Sequence, residues 1–297
     1  MVLTLLNLYI SSLLHTASAN VFAAQETPQT INEEYSSIIN ILPEPYQKEN
    51  LTPLELGAKA IVVMDLNTGK ILYEKNADER RPIGSITKLM TDSIIPDENS
   101  LNGIAIVSDR AAKTDGSKIW LYPGEKITVA NLLYASIIHS ANDATYALAE
   151  HNAGSSEKFI EKMNRKAEML GLKSTKFSNP VGFDDENNYS TAKDIAILAR
   201  IAYKKPFIRQ AASTSKMEVS SIDNKIKHKL ESTNNLLGKD KRIKGLKTGH
   251  TMEAGFSFVS AAENAYGNDI ITVVLDSPDR FKETQILLDW TFNNFTW

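Results

Sequence analysis

The chain contains no cysteine, which excludes disulfides, thiolate metal sites and cysteine nucleophiles together. That absence says nothing about compartment, because many exported bacterial proteins also lack cysteine. Histidine is sparse, at 5 residues, and none stands in an H-E-x-x-H or comparable spacing, which argues against a metallopeptidase and implies no metal. Neither sign of charge dominates: 33 basic and 36 acidic residues leave a net charge of −3. No basic run carries interleaved aromatics, so no nucleic-acid partner is expected. Beyond the N-terminus no segment is apolar for long enough to cross a bilayer. Internal repeats and low-complexity tracts are missing too. What remains is ordinary for a soluble globular protein: 42% hydrophobic and 23% charged residues over 297 positions, enough for one large domain or two modest ones.

The N-terminus reads MVLTLLNLYISSLLHTASANVFAAQ. An apolar stretch from Val2 to Leu14 precedes small residues at Ala17, Ser18 and Ala19, and again at Val21 and Ala23. Residues 1–24 therefore resemble a secretory signal with an A-x-A-type cleavage site, although no Lys or Arg precedes the apolar run. Asn7, Ser11 and Ser12 interrupt that run, and no stable membrane anchor is expected after cleavage. Residues 25–55 are polar, hold Pro28, Pro43, Pro45 and Pro53, and read as an exposed leader.

Residues 56–297 read as one domain. AIVVMDL, NTGK and ILYEKN form a β-hairpin pattern with Asn67 and Gly69 in the turn. In GSITKLMT, Ile86, Leu89, Met90 and Ile94 share one helix face. Thr128 caps a helix bearing Val129, Leu132, Leu133 and Ile137, and a second helix after HSAND carries Ala144, Ala147 and Leu148. A third holds Phe159, Ile160, Met163, Ala167 and Leu170 with Gly171 as its stop, and Thr191 starts a fourth. Strand patterns then recur in MEVSS, IKHKLESTN, KRIKGLKTG, GFSFVSAAEN and DIITVVLDS, before a closing helix that packs Phe281, Ile286, Leu287, Trp290 and Phe295. A hairpin, a helical insert, antiparallel strands and a final helix define an α+β architecture.

Within this frame the spacing S-x-x-K occurs at Ser85, Ser155, Ser190 and Ser213. Helix starts favour serine as an N-cap, with an acidic residue in the first turn. Ser155 is followed by Glu157, and Thr191 has Asp194 three residues on, so both regions read as caps. Ser213 lies ahead of a strand with no helix to cap, and reads as surface. Ser85 has Lys88 three residues on, the charge that a helix N-terminus disfavours. Lys88 lies one turn from Ser85, on the same face. A base there requires a lowered pKa, because at the ordinary value only about 1 lysine in 2,500 is neutral at pH 7. On these residues alone, cap and nucleophile both stay open.

Two further stretches bear on the choice. HSAND places Ser140 and Asn142 at a helix–helix junction, although Ser232 and Asn234 repeat the S-x-N spacing elsewhere. IKGLKTGHT contains Lys247-Thr248-Gly249 near the end of a strand, the one K-T-G in the chain; its lysine suits a carboxylate and its glycine allows close backbone approach. The ordered set S-x-x-K, S-x-N, K-T-G resembles that of penicillin-binding proteins and class A β-lactamases.

From about Ala58 to Trp297 the chain resembles the low-molecular-mass penicillin-binding proteins, the serine D-alanyl-D-alanine carboxypeptidases. KLMT, SANDA, LGLKSTKFSNPVGFD and KTGHTMEAG all carry the likeness. The resemblance implies an antiparallel sheet flanked by helices, with a mainly helical region across the cleft. It implies an exported enzyme acting on peptidoglycan stem peptides that end in D-Ala-D-Ala, without a cofactor, and acylated by β-lactams. Carried over by position, Ser85 is the nucleophile, Lys88 the proton acceptor and Ser140 the proton relay. Asn142 orients Lys88 or the substrate amide. Lys247 and Thr248 hold the terminal carboxylate beside Gly249, and the backbone N–H groups of Ser85 and His250 receive the oxyanion.

Departures from the family pattern leave alternatives. TDSIIPDENSLNG replaces a longer apolar helix, implying a shorter wall behind Ser85, and an extra C-terminal β domain with an amphipathic tail is not expected. Short forms of the family include endopeptidases that cut cross-links. A β-lactamase would require an E-x-x-L-N-type glutamate where this chain reads KFSNPVGFDDENNYS. A non-catalytic cell-wall binding protein would not require Ser85, Lys88, Ser140 and Lys247 intact.

Overall fold

The structure is a computed structural model that describes residues 44–297, positions 50 and 52 excepted. The signal-like segment and most of the polar leader lie outside the described residues. The leader's last part is paired: Tyr46–Gln47 runs antiparallel to Phe295–Thr296.

A five-stranded antiparallel sheet organises the chain, built from β1 (Ala60–Asp65), β2 (Ile71–Lys75), β3 (Ile243–Thr251), β4 (Gly255–Glu263) and β5 (Asp269–Leu275), in the order β3-β4-β5-β1-β2. Both faces of this sheet are covered, which explains why its central strands read as continuous apolar runs. Ala60, Val62 and Met64 of β1 turn to one core, and Ile61 and Val63 to the other. Strand β5 divides in the same way, Ile271 and Val273 against Ile270 and Val274.

The larger core lies among the helices. These are α1 (Lys88–Glu98), α2 (Val129–Ile138), α3 (Asn142–Ala153), α4 (Ser156–Met169), α5 (Ala192–Tyr203) and α6 (Pro206–Ala212). Every residue of α1 from Lys88 to Ile95 is buried, so it runs through the middle of the helical layer. It continues past Pro96 to Glu98. The opposite face of the sheet carries α7 (Arg280–Asn294), whose Leu287 and Leu288 are fully buried. The sequence assigned Ile286 to that packed face; it is 37% exposed, and Leu288 packs in its place.

The serines sort as their contexts predict, with one correction. Ser155 Oγ accepts from Lys158 N at 3.3 Å, and Thr191 Oγ1 from Asp194 N at 3.1 Å, so both are N-caps. Ser213 is exposed but does not merely precede a strand: it ends α6, a helix not anticipated from the sequence, and donates to Gln210 O at 2.9 Å. Pro206 opens that helix at its first turn, where the missing N–H costs nothing. Ser85 makes no capping bond at all.

Candidate active site

Ser85 sits in a 3-10 turn, Gly84–Thr87, that runs directly into α1. Tight backbone packing fixes this turn. Gly84 has φ +53°, and a Cβ there would lie 3.2 Å from His250 N. Across from it, Gly182 has φ +95°, and a Cβ on it would fall 1.8 Å from Gly84 O. Gly249 closes the third side, where a Cβ would meet Ile83 O at 2.8 Å. Only glycine permits three chain segments to approach so closely. Strand β3 is one of the sheet's two edge strands.

Lys88 is fully buried. Its Nζ lies 2.9 Å from Ser85 Oγ and donates to Val181 O at 2.8 Å. Among the described residues no carboxylate bonds to it. Burial, and then the charge of Lys247, push its pKa well below the ordinary lysine value. The loop that supplies Val181 is folded around Asn179, whose Oδ1 accepts from the backbone N–H groups of Val181, Gly182 and Phe183. This is the KFSNPVGFD stretch. It gives Lys88 a carbonyl partner, and no glutamate stands at the position where a lactamase-type reading requires one.

A second hydroxyl–lysine pair forms across the cleft. Ser140 lies between α2 and α3 with φ +59°, a left-handed conformation that a non-glycine residue holds only when its neighbours enforce it. Lys247 Nζ, from β3, donates to Ser140 Oγ at 2.7 Å and to Thr248 O at 3.0 Å. Burial lowers the Lys247 pKa to about 7. Thr248 Oγ1 is 2.6 Å from Thr233 Oγ1.

Asn142 donates through Nδ2 to Asp115 O at 2.7 Å, while its Oδ1 is buried without a hydrogen-bond partner among the described residues. No bond joins Asn142 to Lys88, whose Nζ is engaged by Ser85 and Val181. Of the two tasks expected of Asn142, orienting Lys88 therefore has no contact behind it. The free Oδ1 suits the other, accepting from a substrate amide. His250 stacks its ring on Phe256, with centroids 4.2 Å apart. Nearby, Arg280 donates to Gly249 O at 2.7 Å, bracing the end of β3.

The sequence-predicted residues thus converge from three segments, 85–88, 140–142 and 247–250. Val181, Asn179 and Gly182 were not singled out, because a backbone carbonyl and its turn leave no side-chain signature. Neither was Arg280. A nucleophile-ready serine, a buried lysine within hydrogen-bond reach and a second Ser–Lys pair define a serine acyl-transfer site.

Comparison with known proteins agrees with this class. A family model described as D-alanyl-D-alanine carboxypeptidase, peptidase S11, matches residues 47–279, and the chain belongs to that family. It is 35% identical over 268 residues to D-alanyl-D-alanine carboxypeptidase DacF of Bacillus subtilis (strain 168), an alignment covering 87% of this chain and 69% of that protein. D-alanyl-D-alanine carboxypeptidase DacA of Haemophilus influenzae is also 35% identical, over 82% of this chain and 64% of its own length. The chain thus spans about two thirds of these relatives. Among solved structures, the Streptomyces K15 DD-transpeptidase superposes with a TM-score of 0.78 at 30% identity, covering 82% of this chain and 100% of that one. Penicillin binding protein 5 from Haemophilus influenzae gives 0.76 at 34% identity, over 83% and 74% of the two chains.

Proposed function

We propose that this chain is a serine-type D-alanyl-D-alanine carboxypeptidase that removes the terminal D-alanine from peptidoglycan stem peptides through an acyl-enzyme at Ser85. The observation that carries the reading is Lys88: buried, without a carboxylate partner among the described residues, and 2.9 Å from Ser85 Oγ. A helix cap has no use for it, whereas a base requires a lysine whose neutral form is favoured.

With Lys88 neutral, the hydrogen-bond polarity reverses and Ser85 O–H donates to Nζ. Serine Oγ attacks the carbonyl between the two D-alanines as Lys88 takes its proton. The tetrahedral oxyanion is received by the backbone N–H groups of Ser85 and His250, a reading supported by the close approach of Gly84 to His250 N. Ser140 relays the proton taken by Lys88 to the D-alanine amine as the C–N bond breaks, leaving the peptide esterified to Ser85. Lys247 and Thr248 hold the D-alanine carboxylate beside Gly249, and the arriving negative charge restores Lys247 to its cationic form. The substrate lies along edge strand β3 as an extended peptide, and Asn142 Oδ1 accepts from its amide. Water then releases the shortened peptide. Each of these groups is supplied by the protein itself.

The corresponding organisation is an export signal over residues 1–24, a polar leader over 25–55 and a catalytic domain from 56 to 297, acting on the cell-wall side of the cytoplasmic membrane. In support, no helix among the described residues is long and apolar enough to cross a membrane.

The deciding experiment incubates the protein with a pentapeptide stem, a cross-linked dimer and an amine acceptor, and identifies the products by mass spectrometry. Loss of one D-alanine is expected. Cleavage of the dimer bridge alone would make it an endopeptidase, and an aminolysis product alone a transpeptidase. Rapid turnover of penicillin without peptide cleavage would make it a β-lactamase. Intact substrates together with failure of folded protein to take up penicillin would leave a binding protein.

A further inference from the structure

Behind Lys88, one turn further along α1, lies Asp92, 1% exposed and without a cationic partner in hydrogen-bond contact among the described residues. Its Oδ1 is 2.6 Å from Ser136 Oγ of α2, and its Oδ2 is buried with no hydrogen-bond partner among the described residues. Ser136 Oγ is in turn 2.9 Å from Thr145 Oγ1 of α3, and Thr145 Oγ1 is 2.7 Å from the carbonyl oxygen of Ala141. Ala141 is the residue between Ser140 and Asn142.

Counting protons along this row decides the state of Asp92. Three oxygen–oxygen contacts, all under 3 Å, each require a hydrogen. The Ala141 carbonyl can only accept, and Ser136 and Thr145 bring one hydrogen each. An ionised Asp92 would leave one contact as two lone pairs pressed together, and would also leave a charged oxygen buried without a partner. A protonated Asp92 completes the row: Asp92 donates to Ser136, Ser136 to Thr145, and Thr145 to Ala141 O. Its Oδ2 is then a neutral carbonyl oxygen, the form least costly to bury.

We propose that Asp92 is held as a neutral carboxylic acid in the resting protein, and that its proton completes a directed hydrogen-bond chain fixing the Ser140–Asn142 corner against the helix that carries Lys88. Asp92 is on this account a positioning residue. It never meets substrate, but it sets where the second Ser–Lys pair stands relative to the first. The strained backbone of Ser140 is what such a chain would have to restrain. The charged groups facing Asp92 are Lys88 on its own helix and Lys247 on β3, with Asp143 of α3 acting on Lys88. Burial raises the Asp92 pKa to about 7, outweighing the charges of both lysines. The same burial favours the neutral form of those lysines, weakening the field that would ionise it.

The inference rests on the acyl-transfer reading for its kinetic consequence but not for its chemistry, so it is tested on two arms. Infrared difference spectra of unliganded wild type against Asp92→Asn at pH 7 should contain the carbonyl stretch of a protonated carboxylic acid. A carboxylate pair of bands there instead would overturn the proposal, whether or not the protein is active. In stopped-flow acylation by a penicillin, Asp92→Asn keeps a donor to Ser136 and should stay within about threefold of wild type with the same pH profile. Asp92→Ala and Ser136→Ala should each slow acylation by about 10- to 100-fold, and the double variant should be no slower than either. Equal losses in Asn and Ala variants, or a displaced acid limb in Asp92→Asn, would contradict it. A wild type that is not acylated would refute the acyl-transfer reading and leave the infrared result standing.

Discussion

Two hydroxyl–lysine pairs face the same cleft at almost the same separation, Ser85–Lys88 at 2.9 Å and Ser140–Lys247 at 2.7 Å, yet they are built in opposite ways. The first is local. Both members ride on one turn, and the lysine's other partner is a neutral carbonyl. The second joins residues 107 positions apart, one on the helical layer and one on the edge of the sheet. Burial lowers both lysines: Lys88 well below the ordinary value, with the charge of Lys247 adding to the effect, and Lys247 to about 7, with Asp92 opposing and Arg280 adding to it. On the acyl-transfer reading proposed above, the first lysine serves as the base and the second as the cation that meets the substrate carboxylate.

Arginine breaks this comparison most sharply, because it cannot be neutral. Lys88→Arg should slow penicillin acylation by about 10³-fold, the scale of a lost general base. Lys247→Arg keeps a cation for the carboxylate and should lose about tenfold. Equal losses, measured by stopped-flow fluorescence, would mean that the two lysines share one role. In wild type the rate should fall on the acid side as Lys88 becomes protonated.

The next largest effect concerns the packing that sets the first pair. Gly182→Ala would drive a methyl into Gly84 O and hold a left-handed φ that alanine resists, so acylation should fall by about 100-fold and stability by about 2–4 kcal/mol. Urea denaturation alongside the acylation rate checks both numbers; an unchanged rate would show that the turn at Ser85 does not depend on this contact.

How much of this could be read beforehand follows from the same contrast. Ser85 and Lys88 are three residues apart, and a helix turns that spacing into contact, so the local pair was readable as soon as the cap reading failed. Ser140 and Lys247 were readable only through the order of the motifs, since no spacing rule links residues from different layers. The sheet's central strands and the helical stripes followed from apolar periodicity. Helix α6 did not, because Pro206 reads as a break although it marks a start. Asp92 was hidden in TDSIIPDENSLNG, where an acid inside a buried helix contradicts the amphipathic pattern and gains meaning only from Ser136 and Thr145 on other helices.

Stability sharpens the comparison further. Unfolded Lys247 titrates near 10.5 and folded Lys247 near 7, so between those values the unfolded chain binds the extra proton and stability from this group rises with pH. At pH 7 the lysine is therefore a cost carried for function. Lys247→Met should abolish carboxylate binding yet raise stability at pH 7 by about 1–3 kcal/mol, with a smaller gain at pH 10. Thermal melts at both pH values test this, and a destabilised variant would count against it.

The smallest expected effect is at a buried histidine. His228 is buried with Nδ1 2.8 Å from Ile119 O and Nε2 2.9 Å from Glu125 Oε1, two acceptors that only a doubly protonated ring can satisfy. Burial alone would lower its pKa, but the Glu125 hydrogen bond and charge outweigh it and the value is raised. Its contribution is then fully present below about pH 6.5 and is lost as pH rises through the raised folded value. His228→Gln should cost about 1 kcal/mol more at pH 6 than at pH 9. The same cost at both pH values would mean that the ring is neutral.

The central claim is that Ser85 forms the acyl-ester. Incubating the wild type with a penicillin, digesting it and mapping the adduct by tandem mass spectrometry tests this most directly. The account predicts one adduct, on Ser85, absent from folded Ser85→Ala. An adduct on Ser140, or label retained by Ser85→Ala, would contradict it.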